Sequence, residues 1–188
     1  MSRIIAGVGG GNPLASVPGT ATRPTTDRVK EALFSRLESL AIIDDARVLD
    51  LYAGSGALGV ESASRGARSV DLVEFDAKAS DVCQRNADLV NQLLGGKKVS
   101  VHRSKVESFL ERVREGGVWD LVFLDPPYPL DEPALTAVLE KLAPHLDEGA
   151  VVVVERSSRS PEPAWPGTMD CFADKKYGET KLWFAEPA

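Results

Sequence analysis

Apolar and polar positions along the chain fall into two alternating regimes. Short apolar runs of strand length occupy 47–52, 69–74, 98–103, 119–124 and 150–155. Between them, apolar residues recur at helical spacing near 57–65, 77–93, 106–114 and 132–145. An earlier helix is predicted from residue 25, where Val29, Leu33, Leu37 and Leu40 share a face, with Thr26 or Asp27 as its cap and Pro24 just outside. Asp76 is the predicted cap of the helix at 77–93. At the amino terminus, Arg3-Ile4-Ile5 and the glycine-rich stretch through Gly19 predict a short strand or hairpin. Two strands close the chain, 168–174 and 180–185, with Tyr177-Gly178 as the turn. Seven strands alternating with helices predict an α/β fold with a doubly wound, mostly parallel sheet, whose ligands sit at the carboxyl ends of strands.

Composition narrows the class. A chain of 188 residues, 43% hydrophobic and 27% charged, suits one globular domain. The expected division is a short extension at 1–24, a possible nucleic-acid contact, and a main domain at 25–188. No apolar stretch is long enough to span a membrane, and the first residues lack a signal-peptide pattern, so a cytoplasmic monomer is expected. Cys83 and Cys171 stand far apart, no CxxC is present, and only His102 and His145 accompany them; neither a metal site nor a disulfide is expected. The net charge of −6 sits awkwardly with a nucleic-acid partner. It is uneven, however: residues 1–40 carry five Arg or Lys against three Asp or Glu, a local +2.

Chemistry concentrates at two strand ends. The run at 119–124 ends in Asp125-Pro126-Pro127-Tyr128. Consecutive prolines lack backbone donors and hold φ near −65°, which leaves a stiff turn with free carbonyls, a carboxylate and an aromatic ring. Such a turn can hold a flat ring that bears an amine. The run at 47–52 leads into Ala53-Gly54-Ser55-Gly56-Ala57-Leu58-Gly59. Its glycines permit a tight turn and close approach of a ligand to the backbone. Gly54, Gly56 and Gly59 also satisfy the dinucleotide fingerprint, with Glu74 at a spacing suited to a ribose diol, so an NAD-binding fold competes at this point. Asp50 weighs against it: an acid just before the glycines repels a pyrophosphate and suits a cationic ligand.

The tetrad at 125–128 looks like the catalytic motif of S-adenosylmethionine (SAM)-dependent methyltransferases that modify exocyclic amines of nucleobases. Asp50-Leu51-Tyr52-Ala53-Gly54-Ser55-Gly56 resembles the SAM-binding motif of the seven-stranded, Rossmann-like class I methyltransferases. More specifically, the chain resembles the RsmD family of bacterial 16S rRNA guanine-N2 methyltransferases. Arg3–Gly7, the block from Arg23-Pro24-Thr25-Thr26-Asp27-Arg28 to Phe34, Val73-Glu74, and Lys176-Tyr177-Gly178-Glu179-Thr180 carry that resemblance.

The resemblance implies SAM as cofactor and 16S rRNA in the small ribosomal subunit as substrate, with ribosomal proteins as possible partners. It implies Asp125, Pro126, Pro127 and Tyr128 as catalytic residues. Asp50, Ala53, Gly54, Ser55, Gly56, Glu74, Phe75 and Val106 would bind SAM, and Arg23, Thr26, Arg28, Tyr177 and Thr180 would meet the substrate. Two departures stand out. Gly9-Gly10-Gly11-Asn12-Pro13 replaces the basic residues usual in the family's amino-terminal hairpin, and Lys105-Val106 replaces an acidic or amide residue at the third SAM motif. A DNA amino-methyltransferase, a non-catalytic SAM- or nucleotide-binding module and a small-molecule methyltransferase remain as alternatives.

Overall fold

A computed structural model describes residues 2–18, 26–114, 116, 118–127 and 129–188. Two residues expected at the site, Arg23 and Tyr128, lie outside them. The elements run α1 (Asp27–Ser39), β1 (Arg47–Leu51), α2 (Ala57–Ser64), β2 (Ser69–Val73), α3 (Ala77–Leu94), β3 (Val99–His102), α4 (Val106–Arg112), β4 (Trp119–Leu124), α5 (Glu132–Leu142), a 3-10 turn (Ala143–His145), β5 (Leu146–Ser157), β6 (Met169–Tyr177) and β7 (Thr180–Pro187). The strands form one sheet of seven in the order β3-β2-β1-β4-β5-β7-β6. β1 to β5 are parallel, and β7 enters antiparallel between β5 and β6.

Parallel strands covered on both faces need apolar side chains on both, which is why the central runs are continuous rather than alternating. Val48, Leu121, Phe123, Val151 and Val153 pack on one face against Leu33, Phe34 and Leu37 of α1 and Val60 of α2. Leu49, Leu51, Val122, Leu124, Val152 and Val154 pack on the other against Phe109 of α4 and Leu135 and Leu139 of α5. Each such aliphatic residue contributes about 1.5–3 kcal/mol on burial. Helix starts follow side-chain chemistry: Thr26, Asp76 and Asp131 accept the backbone N–H of the residue three positions on.

Departures from the predicted bounds have local causes. The helix predicted to reach residue 145 ends at Leu142, because Pro144 offers no backbone N–H and the chain tightens into the 3-10 turn. β5 consequently begins at Leu146, earlier than the predicted 150. β6 continues to Tyr177, which pairs with Thr180, so the turn is Gly178-Glu179. Among the described residues, no helix is long and apolar enough to cross a membrane.

The amino-terminal residues form a short hairpin-like turn around the antiparallel bridge of Arg3 to Pro13, with Ile4 N–H on the Asn12 carbonyl (2.9 Å) and Leu14 N–H on the Ser2 carbonyl (2.9 Å), and they bond to α2 as well. The Glu61 carboxylate accepts the N–H groups of Ile5 (2.8 Å) and Ala6 (3.1 Å). Ser64 Oγ accepts from Gly9 N–H (2.9 Å) and donates to the Ala6 carbonyl (2.6 Å). Lys30, fully buried, donates to the Arg3 carbonyl and pairs with Glu61 at 3.8 Å. Gly7 sits at φ +81°, where a Cβ would lie 1.9 Å from the Ser64 carbonyl oxygen. Gly7→Ala is expected to cost more than about 1 kcal/mol from the left-handed backbone alone, with the clash added. Thermal unfolding should then show a midpoint lowered by at least about 2–4 °C.

Candidate active site

β1 lies between β2 and β4, so the chain leaves it in opposite directions along the sheet. The crevice at the carboxyl ends of these strands is the expected ligand position in a doubly wound sheet. Register places Leu51 beside both Val73 and Leu124, and Leu124 beside Val154. The residues just beyond, together with Asp50, put four acids at neighbouring strand ends: Asp50, Glu74, Asp125 and Glu155.

The loop after β1 is built tightly. Ala53 N–H bonds the Val73 carbonyl (2.9 Å) and Gly56 N–H the Ala53 carbonyl (2.8 Å). Gly54 and Gly56 sit at φ +60° and +81°, the left-handed region that admits glycine without strain. Tyr52 holds φ +60° without that freedom, a strained residue at the mouth of the site. Its phenol is buried, has no hydrogen-bond partner among the described residues, and is pushed up in pKa by desolvation. Glu74 braces the loop: its carboxylate accepts Gly54 N–H (2.7 Å) on one oxygen and Asp76 N–H (2.9 Å) on the other. α2 follows with Gly56 as its cap, a residue that has no side chain to bond the first turn.

Asp50 is 2% exposed, and its carboxylate accepts Gly59 N–H at 3.3 Å. Burial, reinforced by the negative fields of Glu74 and Glu155, lifts its pKa to about 8. A carboxyl so placed gains strongly from a cation. Asp125 is also raised well above the carboxylate range, first by desolvation, then by the charge of Glu155 and a hydrogen bond to it, and further by Asp50. Arg156 opposes the shift, while its guanidinium is anchored on the Leu130 carbonyl (3.1 Å) and Glu132 (3.2 Å). Asp125 and Glu155 are thus hydrogen-bonded neighbours, and an ionised Asp125 can accept from a donor.

Asp50, Ala53, Gly54, Ser55, Gly56, Glu74, Asp125 and Pro126 thus converge on one crevice, with Pro127 at its exposed rim. Phe75 stands 59% exposed beside Glu74, with Lys105 Nζ 5.4 Å from its ring centroid. Val106 is 5% exposed, and its side chain packs into the core with Phe109. Thr26 spends its hydroxyl on capping α1 (3.3 Å to Val29 N–H), and Arg28 is exposed on that first turn. Tyr177 and Thr180 pair across the β6–β7 hairpin at the level of Ser157, so the hairpin tip borders the same end of the sheet.

Three further residues escaped the sequence reading. Glu155 closes the run at 150–155 as Asp50 and Glu74 close theirs, and an acid at the end of each central strand was the available signal. Asn86 interrupts the apolar face of α3 formed by Val82, Cys83, Ala87 and Val90. Tyr52 carried no signal beyond its place in the motif.

Sheet order, the antiparallel β7 and the glycine loop after β1 define a class I, Rossmann-like methyltransferase fold. The chain belongs to the family described as Conserved hypothetical protein 95, whose model matches residues 2–186, and with it to the family of ribosomal RNA small subunit methyltransferase D. It is 34% identical to that protein of Escherichia coli (strain K12) over 177 residues, covering 94% of this chain and 85% of the relative. YlbH of Bacillus subtilis (strain 168) is 36% identical over 182 residues, 95% of each chain. The solved structure of yhhF from Escherichia coli superposes with a TM-score of 0.81 at 32% identity, covering 98% of this chain and 97% of that one.

Proposed function

We propose that this protein methylates the exocyclic N2 amine of a guanine in 16S rRNA, with SAM as donor and the assembled or assembling small subunit as substrate. One observation carries the chemistry: a buried carboxyl that needs a cation, Asp50, lies one strand from a desolvated carboxyl that can accept from an amine, Asp125. The residues fit SAM on three counts: Asp50 matches a cationic methionine end, Gly54 and Gly56 open the backbone, and Glu74 presents an oriented carboxylate for ribose hydroxyls. Phe75 offers its exposed ring to adenine, and Val106 contributes through its backbone. When bound, SAM supplies an electrophilic methyl group.

The chain's own residues do the rest. Guanine N2 is a poor nucleophile because its lone pair is delocalised into the ring. Asp125 and the Pro126 carbonyl accept its hydrogens, favour a pyramidal nitrogen and aim it, so alignment supplies most of the gain. The Asp125–Glu155 pair offers a place for the proton released afterwards. Tyr128 would stack on a base swung out of its helix, a contact worth about 1–3 kcal/mol. Thr26, Arg28, Tyr177 and Thr180 would border the entrance, Arg23 would meet the substrate with them, and ribosomal proteins in the subunit would offset the acidic net charge. The site calls for no metal, and the reaction belongs in the cytoplasm, where subunits assemble.

Relatives named ribosomal RNA small subunit methyltransferase D support the substrate. The test is labelled methyl transfer from SAM to small subunits lacking the modification, with free 16S rRNA and duplex DNA in parallel and mass spectrometry of the digest. N2-methylguanine from subunits is the expected product. Label on DNA alone, or on an adenine, would overturn the substrate assignment.

A further inference from the structure

The side chain of Asn86 bonds both to the cofactor loop and to the amino-terminal segment. It is 2% exposed on α3. Its Nδ2 donates to the Ser55 carbonyl (2.8 Å) and to the Ala15 carbonyl (3.0 Å), and its Oδ1 accepts Ala15 N–H (2.8 Å). Two acceptors and one donor around it fix the amide orientation, and three bonds nearly exhaust the capacity of the group. The other end of the same segment is held by Glu61 and Ser64 of α2, the helix that begins directly after Gly56. The segment therefore spans from the far end of α2 back to the loop, and at the loop Asn86 is its polar link.

We infer that Asn86 is a positioning residue that couples cofactor binding to docking of the amino-terminal segment. The coupling rests on the SAM reading given above. Ser55 lies between the two left-handed glycines, so a ligand seated on the loop fixes the Ser55 carbonyl. A fixed carbonyl orders the Asn86 amide, and an ordered amide holds both polar groups of Ala15. The effect is reciprocal: a docked segment preorganises the loop and tightens the cofactor by the same factor. In a protein whose extension is a candidate RNA contact, a filled cofactor site then presents the RNA-facing segment in place.

Hydrogen exchange of the full-length protein with and without SAM tests this, alongside calorimetric SAM titration. In the wild type, SAM should slow exchange both at 53–59 and across 2–15. In Asn86→Ala, protection of the loop should persist, protection of the segment should vanish, and SAM should bind about fivefold more weakly or worse. Ser64→Ala loosens the segment at its far anchor without touching loop or amide, and it too should weaken SAM severalfold. Exchange of the β4 amides reports folding; should Asn86→Ala unfold, Ser64→Ala decides alone. Loop protection without segment protection in the wild type, or unchanged SAM affinity in Ser64→Ala, overturns the coupling. No protection at the loop at all overturns the cofactor reading and the coupling together.

Discussion

Asp125→Ala should lower methyl transfer by about 10²–10⁴-fold while leaving SAM affinity within about twofold, as read from single-turnover transfer and calorimetry on the same preparations. In the proposed reaction the carboxyl serves the amine, and among the described residues no hydrogen bond from it reaches the loop at 53–56. Glu74→Ala should show the opposite pattern, with weakened SAM binding, because Glu74 braces Gly54 and, in the proposed site, would offer its carboxylate to the ribose. Transfer retained in Asp125→Ala, or SAM binding lost with it, would reverse the two roles. The substitution carries a second signature. Asp125 is held in a desolvated place against the charges of Glu155 and Asp50, so its removal ends that cost. Thermal stability is expected to hold or rise as activity collapses, a common mark of a site kept for its chemistry rather than its packing.

SAM affinity should climb with pH on the acid side of neutrality, by up to about tenfold per unit, and turn over near pH 8. The cause is Asp50. Its carboxyl titrates at about 8 in the fold against an ordinary value of 3.8. Between those values the folded protein holds a proton that the unfolded chain has released, so stability without ligand falls as pH rises through that window. A cation at Asp50 restores the charged form, which means binding below pH 8 expels a proton. The turnover follows because an α-amine loses its own charge at about 7.7–8.0. Thermal shifts induced by SAM should therefore grow from pH 6 to pH 7.5. Asp50→Asn should flatten the profile and weaken binding at its optimum; a flat profile in the wild type would remove Asp50 from the cofactor site.

The central sheet was legible because its strands are buried on both faces, and a run such as 119–124 leaves no other role for so many apolar residues. Bounds were read least well where backbone hydrogen bonding, not side-chain character, decides them, as at Pro144 and at the end of β6. The glycine loop was legible from chemistry, because the left-handed turn it makes needs Gly54 and Gly56. Glu155 was not, because its meaning comes from a neighbour across the sheet, Asp125, thirty residues earlier in the chain. Asn86 was hidden for the same reason. Its two partner residues, Ser55 and Ala15, lie 31 and 71 positions away, and no local pattern connects them.

Pairing of β1 with β4 also sets when the site can exist during synthesis. Asp50 and Asp125 are 75 positions apart, and they become neighbours only when β4 docks against β1. Closing a loop of that length costs about 4 kcal/mol of chain entropy before any contact returns it. A nascent chain that has left the ribosome only as far as β3 would own the glycine loop and Glu74 without any group to receive an amine. The topology thus delays catalytic competence until the second half of the chain has emerged and folded.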